Sequence, residues 1–141
     1  RSFTLKLVKA SQTLAALQPK ATRASGFDFN PSDRLQDRSS DRFNFIGDLS
    51  LRLRQGSAGA WKDYSTSTTR KPIEALAART PILAAADLSA TLPADCPVQV
   101  TRSWLIDNGK LVLRFDLKNS TTSPVQIGGR ESQRRKARQA P

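Results

Sequence analysis

The strongest constraint on the fold of this chain is a β-hairpin that the sequence predicts over residues 98–118 (VQVTRSWLIDNGKLVLRFDLK). The dipeptide Asn108-Gly109 is typical of a two-residue hairpin turn, because both positions tolerate a positive φ. A one-residue slip would move every side chain to the other face, so the turn and the apolar pattern agree on one register. That register predicts an apolar face with the pairs Ile106–Leu111, Trp104–Leu113, Arg102–Phe115 and Val100–Leu117, and a polar face with Thr101–Asp116, Ser103–Arg114 and Asp107–Lys110.

Further segments of the chain also favour β structure. Residues 3–8 alternate apolar and polar side chains, residues 43–54 (FNFIGDLSLRLR) do the same, and residues 125–127 begin another strand. Gly47 falls on the apolar side of the second segment, where it indicates a bulge or a close approach of backbone. Residues 74–86 are Ala-rich and contain a proline, which leaves a helical turn and a connecting strand both open. Several strands with turn residues between them predict an all-β, antiparallel β-sandwich.

The charge of the chain is strongly positive and unevenly distributed. The 141 residues carry 23 Lys and Arg against 12 Asp and Glu, and the segment 130–141 (RESQRRKARQAP) holds +4 of the net +11. We therefore expect one domain over residues 1–129 and a disordered basic tail over residues 130–141. A basic surface makes nucleic acid an alternative partner. Few aromatic residues interleave with the charges, which disfavours that alternative.

The sequence predicts neither a catalytic centre nor a metal or cofactor site. It contains no His and a single Cys, which excludes His-dependent nucleophile sites and the usual zinc sites. Residues 33–42 (DRLQDRSSDR) place three aspartates close together, but the interleaved arginines neutralise them, and we expect a loop there. Residues 98–118 supply no catalytic motif either. Since no apolar run approaches 18 residues, we predict no membrane span.

Several sequence blocks resemble one known family. They are GFDFNPSDRL (26–35), GDLSLRLR (47–54), WKDYST (61–66), AADLSATLP (85–93), VTRSWLIDNGKLVLRFDLKN (100–119) and VQIGG (125–129). Together they are similar to the N-terminal part of domain of unknown function family 5695, whose members are large, mostly fungal and bacterial proteins. The resemblance implies a galactose-mutarotase-like sandwich that precedes a helical, glycosidase-like domain. It also implies that the chain, which starts at Arg1 and departs from the family after residue 129, is a fragment without that helical partner domain. Secretion of the parent protein is left open.

Four residues are candidates for a binding site. Trp61, Asp63 and Tyr64 could form a sugar-stacking platform, or Trp61 could be a strand-end residue that anchors a loop. Arg102 could face a substrate, or it could be buried against an aromatic ring or a carboxylate inside the sandwich. We expect a non-catalytic sandwich with a structural or weak carbohydrate-binding role and a polysaccharide as partner. The alternative is a small basic nucleic-acid-binding β protein.

Overall fold

The structure is a computed structural model that describes residues 3–20, 29, 45–68 and 71–128. Within these ranges the chain is almost entirely β, and its one helical element is a short 3₁₀ turn at Ser89–Thr91. No helix in this described part is long and apolar enough to cross a membrane. The strands are β1 (Phe3–Leu7), β2 (Leu14–Pro19), β3 (Ser50–Gln55), β4 (Lys62–Ser65), β5 (Glu74–Leu76), β6 (Ile82–Asp87), β7 (Val98–Asp107), β8 (Lys110–Asn119) and β9 (Val125–Gly128).

These strands form three antiparallel sheets. A four-stranded sheet has the order β5-β6-β7-β8, a three-stranded sheet has the order β4-β3-β9, and β1 pairs with β2. The core contains buried side chains from both larger sheets and from the segment around the 3₁₀ turn, namely Leu53, Tyr64, Ala86, Leu88, Leu92, Val98 and Val100. Burial of these apolar surfaces between two sheets is the main stabilising contribution to such a fold. The predicted all-β antiparallel sandwich is confirmed.

The predicted hairpin is present in the predicted register. Strands β7 and β8 pair from Val98 opposite Asn119 to Asp107 opposite Lys110, with Trp104 opposite Leu113. Asn108 has a φ of 47° and Gly109 a φ of 75°. Two positive φ values at the central residues are what a type I′ turn requires, and this turn matches the right-handed twist of the two strands.

The segment predicted as one strand over 43–54, of which the structure describes residues 45–54, is divided by Gly47. That residue has a φ of 114°, and strand β3 begins only at Ser50. The close approach predicted at Gly47 is confirmed, because a Cβ there would lie 3.2 Å from Arg102 Nη1 and 3.2 Å from Trp104 Cζ2. The Asp48 carboxylate completes the turn by accepting a hydrogen bond from the Phe45 N–H over 2.9 Å.

The remaining predicted segments differ in outcome. Strands β1 and β9 confirm the predictions over 3–8 and 125–127. The Ala-rich segment 74–86 forms strands β5 and β6, which resolves its two alternatives in favour of strand. The loop predicted over 33–42 and the basic tail 130–141 lie outside the described residues.

Candidate functional site

The three-stranded sheet presents a polar outer face. Along β3, Leu51 and Leu53 point toward the core, so the alternating side chains of Arg52 and Arg54 lie on the opposite side. Cross-strand pairing places Asp63 of β4 and Gly128 of β9 on either side of Arg52. We define the outer face by Arg52, Arg54, Trp61, Asp63, Gln126 and Gly128.

Trp61 lies on this outer face, immediately before β4. A Cβ added at Gly128 would come within 2.7 Å of Trp61 Cζ3, so the indole ring rests against the glycine backbone. The guanidinium carbon of Arg54 lies 4.7 Å from the ring centroid, and Arg54 Nε donates a hydrogen bond to Gln126 Oε1 over 2.7 Å. Because 37 % of Trp61 remains exposed, the ring lies at the surface and outside the core.

An open groove of about 600 Å³ adjoins the indole ring at Gly128. Its lining residues are Ser50, Leu51, Arg52, Asp63, Tyr64, Ser65, Thr68 and Gly128, of which Leu51 and Tyr64 direct their side chains toward the core. Arg52 Nε lies 3.9 Å from Asp63 Oδ1, and the two side chains are 38 % and 71 % exposed. The groove therefore offers hydroxyl groups, a carboxylate acceptor and guanidinium donors to a hydroxylated ligand.

The structure places Tyr64 on the core side of β4, away from the outer face. Its hydroxyl donates to Asp95 Oδ2 over 3.3 Å, and Lys62 Nζ donates to the same oxygen over 3.1 Å. Burial, followed by the negative charge of Asp95, raises the pKa of Tyr64. The hydrogen bond from Lys62 lowers the pKa of Asp95. Tyr64 thus anchors β4 to the loop that contains Asp95, and only 7 % of it is exposed.

The structure also buries Arg102, which is 1 % exposed. Its Nη1 donates to the carbonyl oxygen of Gly47 over 2.6 Å, and its Nη2 donates to the carbonyl oxygen of Ser11. Among the described residues no carboxylate lies within ion-pair distance of it, and burial lowers the pKa of the guanidinium. The partners of this buried arginine are therefore backbone carbonyl groups, whereas the buried alternative predicted from sequence invoked a carboxylate or an aromatic face.

The four predicted site residues are thus divided between surface and interior. Trp61 and Asp63 share the outer face, while Tyr64 and Arg102 lie inside the fold. Sequence reasoning missed the roles of Arg52 and Gly128. The alternation of residues 47–54 places Arg52 on the polar side of a strand, but the pairing of β3 with β9 joins residues far apart in sequence and leaves no local pattern.

Two other features of the molecule lie apart from the groove. A mostly apolar cavity of about 280 Å³ lies beside Ser11, Thr13, Leu88 and Arg102. Cys96 is half-buried, and desolvation raises the pKa of its thiol. In the part of the chain that the structure describes, no three metal-ligating side chains are grouped together.

Comparison with known proteins identifies the family. A protein-family model described as "Family of unknown function (DUF5695)" matches residues 6–130. The matched range includes every strand from β2 to β9 and begins before the blocks that carry the resemblance. No curated protein and no solved structure shows significant similarity to the chain. The chain belongs to the DUF5695 family, whose function is unknown.

Proposed function

We propose that this domain binds carbohydrate without catalysing its conversion, and that the ligand lies in the groove on the outer face of β4-β3-β9. The observation that carries the proposal is the exposed Trp61 ring beside a groove lined by hydroxyl groups and by Arg52 and Asp63. Sugars combine apolar C–H faces with hydroxyl groups. An aromatic ring can pack against the former, and charged side chains can hydrogen-bond the latter.

Within this proposal the site contains Trp61, Asp63 and Arg52. Tyr64 supports it from the core side, because its hydrogen bond to Asp95 helps to hold β4 in place. The guanidinium of Arg54 over the Trp61 ring contributes about 0.5–1 kcal/mol at an exposed site, so a ligand can displace it at small cost. Arg102 takes no part, since it is buried beneath the Gly47 turn.

The non-catalytic part of the proposal rests on the residues in the groove. Glycoside hydrolysis generally uses two carboxyl groups on either side of the scissile bond. Among the described residues that line the groove, Asp63 is the one carboxylate, and Arg52 is close to it. We expect no hydrolysis of glycosides by this domain. In the parent protein it would act beside the helical, glycosidase-like domain that the family resemblance implies.

The proposal is tested by retention of the chain on a panel of immobilised polysaccharides, both neutral and uronate-containing. Trp61→Ala and Asp63→Asn should each reduce retention on the polysaccharide that is bound. Matched controls are Phe45→Ala, which removes an aromatic residue that is also 37 % exposed, and Asp116→Asn, which removes an exposed carboxylate beside an arginine of the other sheet.

The outcome is decided by comparison of each variant with its control. Lower retention for the two outer-face variants alone supports the proposal. Retention on none of the polysaccharides overturns it, and so does an equal loss in the outer-face and control variants. A thermal melt of each variant shows whether it remains folded.

A further inference from the structure

We infer that the groove on the outer face recognises a sugar that carries a carboxylate, so that its ligand class is uronic-acid-containing polysaccharide. This inference rests on the proposed function and specifies its ligand. It depends on the environment of one arginine, Arg52, which lines the groove together with Asp63 and Gly128.

The guanidinium of Arg52 is only weakly engaged by the protein. Among the residues that the structure describes, its one ionic contact joins Nε to Asp63 Oδ1 at 3.9 Å, which is too long for a hydrogen bond. Its two terminal nitrogens have no hydrogen-bond partner among the described residues. Since a guanidinium group presents a planar pair of N–H donors that matches both oxygens of a carboxylate, Arg52 is suited to bind an anionic ligand group in bidentate fashion.

In two other arginines of the described sheets, Arg54 and Arg114, the Nε atom is engaged by a neighbouring side chain. Arg54 Nε donates to Gln126 over 2.7 Å, and its guanidinium stacks on Trp61. Arg114 Nε lies 3.1 Å from the carboxylate of Asp116. Arg52 differs from both in that no hydrogen bond engages its Nε among the described residues and in that it lines the groove.

The charge around the groove favours an anionic ligand, because the positive groups outnumber the negative one. Arg52 and Arg54 provide two positive charges on the outer face, and Asp63 provides one negative charge. The net charge of +11 for the whole chain attracts anions over longer distances.

Asp63 distinguishes a uronate polymer from nucleic acid. Its carboxylate is 71 % exposed within the groove, where it can accept a hydrogen bond from a sugar hydroxyl group, whereas a phosphodiester group has no donor to offer it. A uronic acid can place its carboxylate on Arg52 and a hydroxyl group on Asp63, with a sugar face against Trp61. The mixed charge of the groove therefore favours an acidic polysaccharide.

The test compares polygalacturonate with the same polymer after full methyl esterification, which removes the carboxylate charge and keeps the sugar backbone. The full chain should bind polygalacturonate more tightly than the ester by roughly tenfold, the equivalent of one charge-assisted hydrogen-bonded pair. Arg52→Gln should remove that preference, and Arg52→Lys should restore only part of it, because lysine keeps the charge and lacks the planar fork.

Arg114→Gln is the matched control, since it removes an exposed arginine from β8 in the other sheet. Loss of the preference in Arg52→Gln but not in Arg114→Gln, with similar melting temperatures, supports the inference. Equal binding of acid and ester overturns the inference and leaves the proposed function in place. If the chain binds neither of these polymers and no other polysaccharide in the panel, both the inference and the proposed function are overturned. The inference is also overturned if duplex DNA binds as tightly as polygalacturonate and Arg52→Gln and Arg114→Gln weaken DNA binding equally. General charge attraction would then explain the binding.

Discussion

Arg102 donates a hydrogen bond from its buried guanidinium to the carbonyl oxygen of Gly47, over 2.6 Å. The same guanidinium reaches the carbonyl oxygen of Ser11, and the neighbouring Trp104 Nε1 donates to the carbonyl oxygen of Gln12 over 2.9 Å. Strand β7 thereby holds the β1–β2 hairpin and the turn before β3. Arginine serves here because it stays protonated and can bridge two acceptors that lie apart.

Gly47→Ala should destabilise the fold by roughly 2–4 kcal/mol, because alanine would be strained at the φ of 114° that glycine tolerates and the added Cβ would press on Arg102 and Trp104. Gly56→Ala is the control, since Gly56 has a φ of 63° with nothing within 4 Å of a new Cβ. It should cost only about 1 kcal/mol. Urea unfolding measures both, and equal losses would contradict the close packing at Gly47.

Arg102→Met should lower the free energy of unfolding by about 2–4 kcal/mol, because the carbonyl groups of Gly47 and Ser11 lose a charged donor. Arg102→Lys should recover only part of this loss, since one ammonium group does not span both acceptors as a guanidinium does. The Arg102→Met substitution should accelerate amide hydrogen exchange more strongly in β1 and β2 than in β6. Arg114→Met, on an exposed arginine, should leave this exchange pattern unchanged.

Gly109→Val should cost about 1–2 kcal/mol, because a β-branched residue would be forced to the φ of 75° observed in the hairpin turn. Gly109→Asn should cost less, since asparagine tolerates the left-handed region. Chemical unfolding of the two variants provides the comparison. A valine variant as stable as the asparagine variant would argue against the type I′ turn.

The contact between Lys62 and Asp95 should make stability depend on acidic pH. The pKa of Asp95 is lowered in the folded state, so its stabilising contribution is present above the ordinary aspartate pKa and is lost as pH falls through the folded value. Melting temperatures measured between about pH 6 and pH 2 should fall less steeply in Asp95→Asn and in Lys62→Gln. As a control, Lys118→Gln replaces an exposed lysine of β8. Its melting temperature should fall with pH as steeply as that of the chain without substitutions.

Much of the fold could be predicted from local sequence. The hairpin of β7 and β8 needs only Asn108-Gly109 and the alternation on either side, because turn geometry and side-chain period together determine its register. The blocks that resemble DUF5695 extended this prediction to about residues 26–129, and the family match over residues 6–130 confirms the membership.

The division of the candidate site could not be predicted in the same way. Trp61, Asp63 and Tyr64 are close in sequence, and alternation alone separates Asp63 from Tyr64 without showing which side is buried. The buried side of β4 depends on where the four-stranded sheet packs, and this sheet packs over Tyr64. The polar groove is formed by β3, β4 and β9.

The antiparallel β class, the hairpin register and the family thus follow from the sequence, since these depend on short-range turn chemistry and on ordered sequence blocks. The packing of the folded chain is needed to show that Arg102 is buried on two backbone carbonyl groups and that Arg52 keeps donors for a ligand beside Asp63. Burial and hydrogen-bond partners depend on contacts between distant segments. The spacing of residues along one strand does not specify those contacts.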